Sequence, residues 1–223
     1  MRACGCLRPP GGGNHFDLLS SVVTRSDDPL APAAARVLGA DVLAPCTLLG
    51  QTASEADIAL LGTAARAFPP AAGSSSSEWN HWGLLGALRL TGATAGTAAG
   101  TGAEPAASWV TADPWPRVTH RLAQVAALAG LPLPSELSAA AGGRVVDVAR
   151  GFVRAVRRRD WFQAAGAGRW LATMDDVPPS LGLDRGLAFV AQMGGDDARV
   201  ALHVQVAQAL LVGTAGATRP AVR

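Results

Sequence analysis

"RVVDVARGFVRAVRRRDWFQAAGAGRWL", Arg144–Leu171, reads as two helices joined by a tight turn. In its first half Val145, Val148, Ala149, Phe152 and Val156 recur at helical spacing and make one apolar face. Arg150, Arg154, Arg157 and Arg158 group on the opposite face. Asp160 then offers a carboxylate to the unpaired N–H groups that open a helix. Behind it Trp161, Ala164, Ala165 and Gly168 run on to Leu171. Residues as small as Ala164, Ala165 and Gly168 let a neighbouring helix approach closely. The run of arginines is therefore the corner of a helical hairpin rather than a basic tract.

The same signals extend outward. On the C-terminal side Pro178-Pro179 interrupts, and Ser180 opens a helix carrying Leu183, Leu187, Val190 and Ala191 to Gly194-Gly195. Asp196 caps a last helix with Val200, Val204, Ala207 and Leu211 on one face. On the N-terminal side Val118, Leu122, Val125, Ala126 and Ala129 share a face that Gly130 ends, and Ser135 starts a short helix closed by Gly142-Gly143. Farther upstream, Asp28-Pro29 pairs a cap with proline at the first helical position, and the helix stops at Gly39. Thr52 with Glu55, and Ser75 with Glu78, have the spacing of capping boxes. The only strand-like alternation, "VALHVQV" from Val200, lies behind an acid pair and continues as "AQALL", which favours helix.

These nine segments predict an all-α protein of about seven to nine short helices, packed as an orthogonal bundle or a short stacked-hairpin array. The expected organisation is a disordered tail over 1–15, a helical region over 16–90, a Gly/Ala/Thr-rich loop over 91–108, a second helical region over 109–213 and a disordered tail over 214–223.

Composition sets bounds. The chain has 223 residues, 49% of them hydrophobic and 16% charged, too apolar for a disordered chain and long enough to bury a core. It contains no lysine and no tyrosine, and a single isoleucine, Ile58. Those residues have AT-rich codons, so the coding sequence is GC-rich and every basic site is arginine by codon usage. A preference for arginine over lysine thus carries no information about ligands here. Three cysteines, Cys4, Cys6 and Cys46, make no disulfide framework. The first sixteen residues hold two arginines, no acid and no apolar core of a secretory signal. The expectation is a soluble, intracellular, cytoplasmic protein; organellar import also fits that N-terminal composition. No run reaches the ~20 apolar residues of a membrane span. The nearest, Leu84–Thr101, carries Arg89 and is rich in glycine and threonine.

Recognised chemistry is sparse. Asp27-Asp28, Asp175-Asp176 and Asp196-Asp197 are better read as acids at helix ends, where the unpaired N–H groups and the dipole favour them, than as Mg²⁺ ligands. His15, His81, His120 and His203 offer no i, i+3 or i, i+4 pair for a metal. There is no P-loop and no G-x-S-x-G, and "GAGRW" sits inside a helix, so no cofactor and no metal is expected. Trp79, Trp82 and Trp170 are candidate pocket aromatics, though a Trp pair at i, i+3 more often anchors an alanine-rich core. Between Arg144 and Arg159 stand six arginines and one aspartate, whereas residues 160–197 hold six aspartates and two arginines, an in-chain match for the charge. Arg150, Arg154, Arg157, Arg158 and Trp161 are the candidate binding face. The expected function is a helical protein-interaction or scaffold module, bound to another protein or to itself. An inter-helix pocket for a small ligand or reaction, and nucleic-acid binding through the Arg144–Arg159 helix, are the alternatives.

Overall fold

The structure is a computed structural model and describes residues 28–92 and 102–217. The tail expected over 1–15, residues 93–101 of the loop, and Cys4, Cys6, His15 and Asp27 lie outside them. Among the described residues every regular element is helical. Nine of the eleven α-helices among the described residues match the segments read from sequence: α1 (Ala31–Leu38), α3 (Glu55–Ala67), α4 (Ser75–Leu90), α6 (Trp115–Gln124), α7 (Glu136–Gly142), α8 (Val145–Arg157), α9 (Trp161–Leu171), α10 (Leu183–Gly194) and α11 (Ala198–Ala217). The other two, α2 (Ala44–Leu49) and α5 (Trp109–Ala112), have six and four residues, too few to show a period. Helix α11 also continues to Ala217, into the segment expected to be a tail.

Several caps move by one or two residues. Ser135 and Asp160 cap as expected, accepting from the N–H groups of Ser138 and Gln163, each at 3.1 Å. Ser54 and Ser74, rather than Thr52 and Ser75, are the caps of α3 and α4. Asp197, not Asp196, accepts from the Arg199 N–H at 2.9 Å. Asp28 accepts from the Leu30 N–H in a turn ahead of α1. Gly182, at φ 58°, precedes α10 after a 3-10 turn over Pro179–Leu181, in place of Ser180. Where several capping residues follow one another, the register that buries the apolar face selects among them.

The chain forms two compact units: residues up to Ala106 together with Leu131–Leu133, and residues from Ala107 to Gly130 together with those from Pro134 onward. In unit 1, α1, the 3-10 turn Gly39–Leu43, α3 and α4 enclose Leu43, Leu61, Trp79, Leu84 and Leu88, all fully buried. The Trp79 indole N–H donates to the Ala106 carbonyl at 3.4 Å. By length and composition the run Ala31–Leu49 could cross a membrane: 19 residues, mean hydropathy 1.3. The run comprises α1, the 3-10 turn and α2, and 44% of its most apolar window is buried within the protein, as in a core helix.

Unit 2 is organised around α9, which packs against α6, α8, α10 and α11. Every residue from Ala164 to Leu171 is buried. A helix surrounded on all sides has no polar stripe, and neighbours on four sides require small side chains. A Cβ at Gly166 would stand 2.9 Å from Ala123 Cα of α6, and one at Gly168 would stand 2.7 Å from Leu187 Cδ2 of α10. Both expected hairpins form, α8 with α9 and α10 with α11. Of the two packings the sequence allows, this is the bundle.

The turn between α8 and α9 is a Schellman motif. The Asp160 N–H donates to Ala155 O and the Arg159 N–H to Val156 O. Arg159 takes the left-handed position at φ 58°, where glycine is usual.

Candidate functional site

Helix α8 runs beside Trp115, at the start of α6, and the segment Pro178–Leu181. Between them lies an open groove of about 820 Å³. Arg150, Arg154, Arg157 and Arg158 all line it. Its apolar surface comes from Val146, Ala149 and Val153 of α8, with Pro178 and Leu181 opposite. Val146 and Val153 are 56% and 43% exposed, large apolar groups left open to solvent on the basic face. The sequence reading missed them. It placed the apolar face on Val145 and Val156, which are only half-buried, whereas Gly151 and Ala155 are buried with Val148 and Phe152. The overlooked signal was the seven-residue spacing of Val146 and Val153 on the same helix as the arginines.

The arginines differ in what holds them. Arg144 is not part of the groove. Its guanidinium pairs with Asp147 at 2.7 Å and donates to the carbonyls of Val110, Thr111 and Asp113, which tie the start of α8 to the end of α5. Arg150 shares Asp147 at 3.4 Å and remains 62% exposed. The Arg154 guanidinium lies 5.6 Å above the Trp115 ring, a cation–π contact. Arg157 and Arg158 have no ion pair among the described residues. The acids of 160–197 do not supply the in-chain match that their count suggested: Asp160 caps α9 and Asp197 pairs with Arg199 at 2.9 Å. None of these acids makes an ion pair with Arg150, Arg154, Arg157 or Arg158 among the described residues.

A second, polar hollow of about 300 Å³ adjoins Trp115 and shares Arg154 and Arg158 with the groove; His120, Asp160 and Gln163 complete its walls. Both His120 ring nitrogens are engaged, with Gln163 Oε1 and Gln124 Nε2, each at 3.3 Å. Because Oε1 only accepts, Nδ1 carries the proton and Nε2 accepts. His120 is therefore a wall of the hollow and has no nitrogen left for a ligand.

Trp161 belongs elsewhere. It stacks edge-on to Phe189 of α10 at 5.9 Å and closes over Gly194, so it does not line the groove. Trp79, Trp82 and Trp170 likewise line neither the groove nor the hollow. Trp79 and Trp82 contact each other edge-on in unit 1, and Trp170 is buried in unit 2, its indole N–H donating to Leu122 O at 2.7 Å. The half-buried aromatic at the groove is Trp115, which the sequence did not single out.

Arg169 was also overlooked. It is 2% exposed in α9. Its Nε donates to Ala129 O at 3.0 Å, one Nη to Ala127 O at 3.2 Å, and the other lies 3.1 Å from His203 Nδ1. A guanidinium only donates, so His203 Nδ1 accepts and its proton sits on Nε2. The arginine closes the carbonyl end of the turn after α6. One charge in an otherwise apolar helix was its only trace in the sequence.

Burial lowers the His81 imidazole, helped by Arg36. Burial raises the Cys46 thiol, helped by Asp57, the opposite of what activates a nucleophile. The Asp197 carboxyl is lowered by the hydrogen bond from Arg199. No three metal-ligating side chains stand together among the described residues. No protein-family model, curated protein or solved structure matches this chain.

Proposed function

We propose that the chain is a helical protein-interaction module that holds its partner in the groove along α8. One observation carries this reading: four arginines line an open groove together with two solvent-exposed valines. Exposed apolar groups ringed by charge mark interaction surfaces more often than reaction centres. A catalytic site would bring acid, base or nucleophile together in a concavity. Here the carboxyl, imidazole and thiol with displaced titration lie outside both hollows.

The test is site-directed photo-crosslinking of the full chain in an extract of the cells that make it. A crosslinker at Val153 captures a discrete protein adduct, and one at Val212, which is 74% exposed on α11, does not. The adduct disappears when Arg154 and Arg157 become glutamate. Equal labelling from both positions, or a nuclease-sensitive adduct at Val153, refutes the proposal.

A further inference from the structure

Resting on that reading, we infer that the occupant of the groove is an amphipathic helix of another protein, with an apolar stripe about two turns long edged by acidic residues. Val146 and Val153 are one heptad apart, which spans about 10.5 Å along α8 at 1.5 Å per residue. They line the groove together with Pro178 and Leu181. A stripe of that length meets the i, i+4 and i+7 anchors of a partner helix.

Charge defines the edges. Arg150, Arg154, Arg157 and Arg158 follow one another at i, i+4, i+7 and i+8, so they border the Val153 half of the stripe and continue beyond it. No acidic side chain lines the groove. Arg157 and Arg158 have no ion pair among the described residues, and Arg150 shares one Asp147 with Arg144. A ligand covering the valines must bring its own negative charge, because burying guanidinium groups without partners is costly.

The groove suits nucleic acid less well. Single strands are held on exposed aromatic platforms, whereas the aromatic of this groove is Trp115, half-buried with Arg154 over its face. Phosphates would satisfy the arginines and leave Val146 and Val153 against a polar backbone. A bilayer would need the valines on a projecting face, and here they line a concavity.

The experiment uses the full chain and a labelled synthetic peptide of about 14 residues. Its leucines stand at i, i+4 and i+7, and glutamates flank them. The expected result is saturable binding, weakened about tenfold when the same residues are scrambled. Charge reversal of Arg154 and Arg157 weakens binding about tenfold, and Val153→Asp does so independently, with unchanged circular dichroism. These side chains are exposed, so the variants fold. Raising salt from about 50 to about 300 mM reduces affinity without abolishing it, because the apolar part persists.

Equal binding of the scrambled peptide overturns the inference. So does preferential binding of polyuridylate RNA or of phosphatidylserine vesicles through the same arginines, or a groove already closed by a second copy of the chain, seen as a dimer by sedimentation. A protein that crosslinks at Val153 and is not displaced by the peptide sinks this inference and leaves the interaction module standing. Failure of both the crosslink and the peptide sinks both.

Discussion

Gly166→Ala should destabilise unit 2 although it improves helix propensity. The added Cβ would stand 2.9 Å from Ala123 Cα, 3.0 Å from Ala123 Cβ and 3.0 Å from Ala123 O. Ordinary carbon contacts are about 3.5–4.0 Å, so α6 and α9 must separate by roughly half an ångström or more. No rotamer change relieves this, because two of the three atoms are main chain. Helix α9 cannot simply retreat, since α8, α10 and α11 pack on its other sides. Overpacking of this kind costs about 1–3 kcal/mol, and the upper part of that range applies to an unyielding backbone. Replacing glycine by alanine inside a helix returns about 1 kcal/mol. The net expectation is about 2 kcal/mol of destabilisation. Gly213→Ala in α11 is the matched control: it meets nothing within 4 Å and should stabilise by about 0.5–1 kcal/mol. Urea unfolding followed by tryptophan fluorescence and far-UV circular dichroism separates the two. The Gly166→Ala midpoint should fall by about 1 M, for a slope of about 2 kcal/mol/M, while the Gly213→Ala midpoint rises slightly. Adding Ala123→Gly should recover only part of the loss, because Ala123 Cα and O remain in place. If Gly166→Ala matches or exceeds the unsubstituted chain, the tight approach of α6 and α9 is wrong.

Two further substitutions test the frame around the groove. Arg169→Met should cost about 3–5 kcal/mol, because it removes a buried charge-assisted network and orphans the carbonyls of Ala127 and Ala129; denaturant unfolding reads it, and a loss under about 1 kcal/mol would contradict that role. Arg159→Gly should stabilise by about 1 kcal/mol by relieving the left-handed backbone at φ 58°; a raised Tm with unchanged peptide affinity is the expected pair of results, and a lowered Tm would show that the Arg159 side chain contributes more than the strain costs.

Much of the fold was legible because local chemistry repeats. Asp160 and Ser135 announced their helices, glycine and proline ended others, and the wheel of α8 put Arg150, Arg154, Arg157 and Arg158 on one side. The candidate site was only half legible. Helical periodicity shows which arginines share a face, but not what stands opposite that face. Trp115 and Leu181 reach the groove from distant segments, and nothing in the α8 pattern points to them. Trp161, two residues from Arg159, turned away because the left-handed residue reverses the chain and sends α9 into the core.

The sequence by itself determined the helices, their approximate ends and the amphipathic character of α8, since capping, turn chemistry and a 3.6-residue period act within a few residues of one another. Tertiary structure decided which helix is central and which charges are matched. "AAGAGRWL" reads as a weakly patterned helix, and only its four packed neighbours show that alanine and glycine were required there. The acids of 160–197 offset the arginines in count, yet strong pairing needs contact, and screening weakens charges separated by more than about 10 Å. The packing of α8 beside Trp115 and Pro178–Leu181 left Arg157 and Arg158 facing an open groove.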